Sequence, residues 1–126
     1  MNELPTPTPR ELEILKILWE QGPSSVRTVY RELLLREPDL ASNTVQTMLR
    51  LMEVKRLVGH ELAGRTFIYT ARFTRDESAA RFLDHVFDGA AAQLVQSLLR
   101  EERISAEELE RMHAMIAEAR RKGSRR

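Results

Sequence analysis

The chain has 126 residues, a formal net charge of +1 and no cysteine. This length suits one ordinary domain or two small ones, and the lack of cysteine excludes disulfides, thiolate zinc sites and cysteine nucleophiles. The near-neutral charge does not by itself indicate a nucleic-acid partner, so a DNA-binding role would depend on where the charges lie.

Two helices are predicted at the start of the chain. A capping box between Thr8 and Glu11 begins the first helix, because each residue can satisfy a backbone N–H of the other. A glycine–proline pair ends this helix. Ser24 or Ser25 then caps a second helix, in which apolar residues recur at helical spacing.

A third helix is predicted from Ser42, as its cap, to about Arg56. At about 100° per residue, its apolar side chains fall on one side and polar ones on the other. The side predicted to face the core holds Val45, Met48, Leu49 and Met52. Each of the three helices is too short to be stable alone, so they must pack together.

A β-hairpin follows the third helix. Residues 57–62 and 66–70 read as two strands, and Gly64 supplies the positive φ that the turn between them requires. A two-stranded ribbon is marginal in water, so it must pack on the helices. Three helices followed by a hairpin predict a mainly α fold that begins with a winged helix-turn-helix domain over residues 1–73.

The polar side of the third helix is a candidate DNA-reading surface. Gln can pair with adenine, Thr offers a hydroxyl and a methyl group, and Arg pairs with guanine or phosphate. The helix start can aim free N–H groups at phosphate, and an arginine at the hairpin tip can reach flanking phosphate or the minor groove. The candidate DNA-binding residues are Ser42, Asn43, Thr44, Gln46, Thr47, Arg50 and Arg65. The alternative is a solvated polar helix face without a ligand.

Residues 74–126 predict a second domain of three short amphipathic helices, with further capping boxes at Thr74 and Ser105. A unit of this size rarely gains more than about 3–5 kcal/mol from its own core. Pairing two copies would bury the excess apolar surface, which predicts a dimerisation domain. The predicted dimer interface comprises Phe82, Leu83, Val86, Phe87, Leu94, Leu98, Leu109, Met112 and Ile116. The alternative is a monomer in which these helices fold back on the first domain.

Five segments in this order and spacing resemble the penicillinase-repressor (BlaI/MecI) family. They are TPRELEIL at 8–15 with Trp19, SVRTVY at 25–30, NTVQTMLRL at 43–51, GRTFIY at 64–69 and FLDHVFDG at 82–89. The resemblance implies a repressor whose winged helix reads a palindromic DNA operator and whose C-terminal helices form a homodimer. It maps the operator contacts onto the polar residues of the third helix and onto Arg65.

The resemblance also implies a route of release from DNA. In the best-known members, a membrane-bound sensor metalloprotease cleaves the dimerisation domain, and the cleaved bond maps to Ser97-Leu98. Those members have Asn-Phe at this bond. A copper-responsive branch uses a cysteine cluster that this chain lacks. Many relatives have glycine where Arg56 stands, so the arginine either lengthens the third helix or adds a phosphate contact.

No pattern predicts an enzyme, a cofactor or a metal site. His60, His85 and His113 fall in three different elements, without the spacing of metal ligands. No secretory signal or membrane-spanning run is present, so we expect a cytoplasmic protein without membrane insertion. We expect the basic tail at residues 120–126 to be frayed. Two alternatives to a repressor remain: a regulator that responds to a small molecule, and a winged-helix module for protein–protein contact.

Overall fold

A computed structural model of the protein describes residues 6–123, which form six helices and three strands. They are α1 (Pro9–Gln21), β1 (Ser24–Ser25), α2 (Val26–Leu34), α3 (Ser42–Val54), β2 (Val58–Ala63), β3 (Thr66–Ala71), α4 (Arg75–Phe87), α5 (Ala91–Arg100) and α6 (Ala106–Gly123). The chain divides into two compact units between Ala79 and Ala80, within α4. Helices dominate, and three of them precede a β-hairpin, which confirms the predicted mainly α winged-helix fold.

The first unit has a single apolar core built from α1, α2, α3 and the sheet. Its residues are Ile14, Leu15, Leu18, Val29, Leu33, Leu40, Val45, Leu49, Met52, Leu57, Val58, Tyr69 and Phe73. The predicted core side of α3 is confirmed, since three of its four residues are fully buried and Met48 is half-buried. This packing fixes the opposite side of α3 toward solvent.

The capping box of α1 also ties α1 to the end of α3. The Thr8 hydroxyl accepts the Glu11 N–H at 3.2 Å, and Glu11 Oε1 accepts the Thr8 N–H at 2.9 Å. Lys55 Nζ donates to Glu11 Oε2 at 2.7 Å. Burial raises the pKa of Glu11, but the hydrogen bonds from Lys55 and Thr8 outweigh it and hold the pKa below its ordinary value.

The sheet contains a third strand that the sequence did not predict. The strand order is β1-β3-β2, and all pairs are antiparallel. Ser24 of β1 pairs with Tyr69, and Ser25 pairs with Ile68. Ser25 also caps α2, with its Oγ accepting the Thr28 N–H at 3.2 Å. A strand of two residues has no alternation pattern to detect, so its pairing with β3 alone defines it.

The two ends of α3 differ from the prediction. Ser42 is the first residue of the helix, and the cap is Ala41, which makes no side-chain capping bond. The helix ends at Val54, because Arg56 adopts a φ of 68°. A left-handed residue cannot continue a helix, so of the two alternatives for Arg56 the structure excludes a longer α3.

Arg56 completes a Schellman motif at this end of the helix. Its N–H donates to the Glu53 carbonyl at 3.0 Å, and the Leu57 N–H donates to the Met52 carbonyl at 2.9 Å. The motif turns the chain directly into β2. A glycine at this position would suit the same backbone conformation.

The last three helices lack the buried residues that characterise the core of the first unit. Within residues 74–123 no residue is buried. Both capping boxes are present, with Thr74 bonded to Glu77 and Ser105 bonded to Glu108. Residues 120–123 of the predicted frayed tail belong to α6, and the last three residues lie outside the described residues. No helix within residues 6–123 is both long and apolar enough to cross a membrane.

Candidate nucleic-acid interface

The start of α2, the exposed side of α3 and strand β3 with the preceding turn enclose an open groove of about 590 Å³. Its lining residues are Ser25, Val26, Arg27, Gln46, Arg50, Arg65, Thr66, Phe67 and Tyr69. The core packing of α3 and the pairing of β1 with β3 hold these three elements at fixed positions. The groove is therefore a built feature of the winged-helix unit.

The electrostatics of the groove favour an anion. Its lining includes three arginines and no carboxylate. Arg27, Arg50 and Arg65 form no ion pair with any other residue in the described range 6–123. The first turns of α2 and α3 carry no acidic residue, so the positive ends of both helix dipoles are uncompensated. Guanidinium groups without carboxylate partners are available to bind phosphate.

Three of the seven predicted DNA-contact residues meet in this groove: Gln46, Arg50 and Arg65. Asn43 and Thr47 are exposed on the same side of α3 but do not line it. The other two, Ser42 and Thr44, are exposed in the first turn of α3. Thr44 lines a separate depression with Arg10 and Glu37.

The groove also contains residues that the sequence analysis missed. Ser25 was recognised only as a cap, and the exposed Arg27 follows it by two positions at the start of α2. A basic residue in the first turn of the helix before α3 was the available signal. Phe67 and Tyr69 enter from β3, where alternation places both on one face of the hairpin. The hairpin was predicted to pack on the helices, but which of its faces approaches the groove depends on tertiary structure.

Tyr69 lies where the groove meets the core. Burial and then the Glu53 carboxylate raise the pKa of Tyr69 above its ordinary value, and the Arg50 guanidinium opposes the shift. Glu53 is itself bonded to the hairpin, because both of its oxygens lie near His60 Nδ1, at 2.7 and 2.8 Å. The His60 ring stacks on Phe67 with a centroid distance of 4.3 Å. These contacts join α3 to the hairpin beside the groove.

The predicted dimer-interface residues lie in α4, α5 and α6. Four of the nine are large apolar side chains with 42–57% of their surface exposed: Phe82, Val86, Leu109 and Ile116. The other five are half-buried: Leu83, Phe87, Leu94, Leu98 and Met112. Leu99 and Met115, which are not among the predicted residues, are large apolar side chains that are also exposed. Helices with this much accessible apolar surface are suited to a protein partner.

The three histidines lie on β2, α4 and α6, as the sequence placed them. In the part of the chain that the structure describes, no three or more His, Asp or Glu side chains are grouped so as to hold a metal ion. The bond between Ser97 and Leu98 lies inside α5. Both carbonyls accept hydrogen bonds, from the Glu101 N–H at 3.0 Å and from the Arg103 N–H at 2.9 Å.

Comparison with known proteins identifies the family. The family model described as "Penicillinase repressor" matches residues 7–118. The penicillinase repressor of Bacillus licheniformis is 25% identical over 122 residues, which is 94% of each chain. A solved structure described as "Structure of Disulfide formed AbfR" is 24% identical, with a TM-score of 0.44 over 88% of this chain and 73% of that one. The family model covers most of the chain, and the chain therefore belongs to the penicillinase-repressor family of transcriptional repressors.

Proposed function

We propose that the protein represses transcription by binding a DNA operator in the groove between α2, α3 and the hairpin. The observation that carries the proposal is the set of three arginines without carboxylate partners along one concave surface. Duplex DNA is a dense polyanion, and proteins gain much of their affinity for it by neutralising phosphates with arginine and lysine. A local patch of this kind is sufficient even though the net charge of the chain is only +1.

In the proposed complex the N-terminal half of α3 enters the major groove. Gln46 and Arg50 then meet base edges, where Gln suits adenine and Arg suits guanine. Asn43 and Thr47 extend this reading surface, because they lie on the same side of α3. Ser42 and Thr44 face phosphate at the helix start.

Phosphate contacts fix the position of the protein on the duplex. Arg27 at the start of α2 and Arg65 at the hairpin tip border the same groove from opposite elements. Such contacts set register and orientation but carry no sequence information directly. We therefore assign sequence discrimination to α3, and general affinity to Arg27 and Arg65.

The proposal includes a homodimer and two functional domains. Residues 1–73 bind DNA, and residues 74–126 associate with a second copy through the apolar residues of α4, α5 and α6. The absence of buried residues within 74–123 supports this assignment, since these helices leave much apolar surface in contact with water. A twofold dimer presents two copies of α3, which matches a palindromic operator. The proposed place of action is the cytoplasm, where the operator DNA lies.

Release of the repressor by cleavage at Ser97-Leu98 is not favoured by the local structure. The bond lies within a hydrogen-bonded helix, and both side chains are half-buried. Cleavage of such a bond requires prior local unfolding. The proposal therefore comprises DNA binding and dimerisation, and a sensor metalloprotease would have to open α5 before it could act.

The test is to select duplexes from a random pool with the full chain and then to measure affinity for the selected duplex across a salt series. The parent protein is expected to bind with an affinity that falls steeply as salt rises. Gln46→Ala and Arg50→Ala are expected to lose about 1–3 kcal/mol of discrimination against mismatched sites. Arg65→Ala and Arg27→Ala are expected to weaken binding to all sequences alike.

Lys16→Ala is the matched control, because Lys16 is an exposed cation of the same unit that does not line the groove. It should bind like the parent. Salt-independent binding, or groove variants that bind as well as Lys16→Ala, would show that the surface is assigned wrongly.

A further inference from the structure

We propose that His60 is a positioning residue for DNA binding, which holds the hairpin tip, and with it Arg65, against α3. The inference rests on the proposed function of the groove and deepens it, because it assigns a role to a residue that does not itself line the groove. His60 acts through two neighbours, Glu53 on α3 and Phe67 on β3.

The contacts of His60 join α3 to the hairpin outside the buried core. Its Nδ1 lies 2.7 and 2.8 Å from the two carboxylate oxygens of Glu53, so a ring protonated on this nitrogen donates to an ionised acceptor. The ring lies nearly parallel to Phe67, with 13° between the planes and 4.3 Å between the centroids. Tyr69 closes the other end of this cluster, 5.6 Å from His60.

The position of His60 along the hairpin explains why this contact matters. At the base, Val58 and Tyr69 are each 1% exposed and belong to the core. Toward the tip, Phe67 is 43% exposed and Leu62 is 63% exposed, so the core no longer holds the strands. His60 pairs with Tyr69, at the point where this change occurs.

Within residues 6–123, strand pairing with β1 does not reach the outer half of the hairpin. β1 pairs with β3 only at Tyr69 and Ile68. In the described residues, the bond between His60 and Glu53 is the one side-chain hydrogen bond that joins α3 to the hairpin. An isolated two-stranded ribbon is marginal in water, so loss of this bond frees the tip to move. Arg65 would then lose its fixed distance from Arg50.

Two substitutions at His60 separate its contacts. His60→Phe retains an aromatic ring against Phe67 but removes the donor to Glu53, whereas His60→Asn places an amide N–H near the position of Nδ1. We expect His60→Phe to bind the selected duplex about three- to tenfold more weakly than the parent, the range of one hydrogen bond, and we expect His60→Asn to recover most of this loss. Glu53→Met removes the acceptor from the other side and is expected to match His60→Phe.

The decisive measurement is a double-mutant cycle with Arg65→Ala. If His60 acts by placing Arg65, then His60→Phe costs little further affinity once Arg65 is absent, and the two losses are not additive. A purely structural defect would instead lower affinity equally in both backgrounds and would lower the melting temperature of the free protein. Additive losses overturn the proposal, as does a His60→Phe variant that binds like the parent while Arg65→Ala binds more weakly. If the parent protein selects no duplex at all, the proposed function itself fails and this inference fails with it.

Discussion

Replacing Arg56 by glycine tests the backbone strain at the end of α3. Arg56 is exposed and has a φ of 68°, a conformation that brings Cβ close to the following carbonyl in every residue except glycine. Arg56→Ala is the matched control, because it removes the same side chain but keeps Cβ. The difference between the two variants therefore isolates the cost of Cβ in the left-handed conformation.

The magnitude follows from two opposing terms. The left-handed conformation costs a residue with a Cβ roughly 1–2 kcal/mol. Glycine avoids this cost, but it also gives the unfolded chain more conformational freedom, which offsets about 0.4–1 kcal/mol of the gain in stability. We therefore expect Arg56→Gly to be more stable than Arg56→Ala by about 1 kcal/mol, which corresponds to about 4–8 °C in Tm for a domain of 60–100 residues.

Urea unfolding followed by tryptophan fluorescence measures this difference. Trp19 is the only tryptophan and lies in the first unit, where its Nε1 donates to the Phe73 carbonyl at 2.9 Å. It therefore reports on the unit that contains Arg56. Equal stabilities, or a more stable alanine variant, would refute the assignment of strain. If the Arg56 side chain contacts phosphate, both variants will lose the same affinity for DNA, since both lack the guanidinium.

Three further predictions concern the ion pair, the core and the second unit. The pKa of Glu11 lies below its ordinary value of 4.5, so its charged form stabilises the fold above that pH. The stability advantage of the parent over Glu11→Gln should be constant near neutrality and should disappear as the pH falls below 4.5 through the folded-state pKa, as measured by unfolding at a series of pH values. Leu49→Ala should lower the free energy of unfolding by about 2–5 kcal/mol, because Leu49 is fully buried, and a smaller loss in urea titrations would show that the core relaxes around the cavity. Ile116→Asp should convert the proposed dimer to a monomer in sedimentation, whereas Gln96→Asp, an exposed change in the same unit, tests for a general charge effect. A parent chain that sediments as a monomer would contradict the dimer proposal.

Local signals in the sequence predicted most elements of the fold. Capping boxes depend on residues three positions apart, so those at Thr8, Thr74 and Ser105 could be read directly and are all present. The apolar side of α3 could be predicted for the same reason, because helical periodicity is local. The ends of α3 could not be predicted in this way. Ser42 has a side chain suited to capping but is the first residue of the helix, and nothing in the local sequence indicates the positive φ of Arg56.

The sequence by itself determined the helices, the hairpin and the polar side of α3, because each depends on neighbours a few positions away. Only the tertiary structure decided which of those polar residues lie together in one groove. Gln46, Arg50 and Arg65 converge with Arg27 because the short β1 strand joins the start of α2 to β3, and Glu53 faces His60 because α3 packs against the hairpin. In the sequence, His60 lies 7 positions from Glu53, and Ser25 lies 44 positions from Tyr69. No periodicity or capping signal spans such distances, so the composition of the groove emerges only when the core closes.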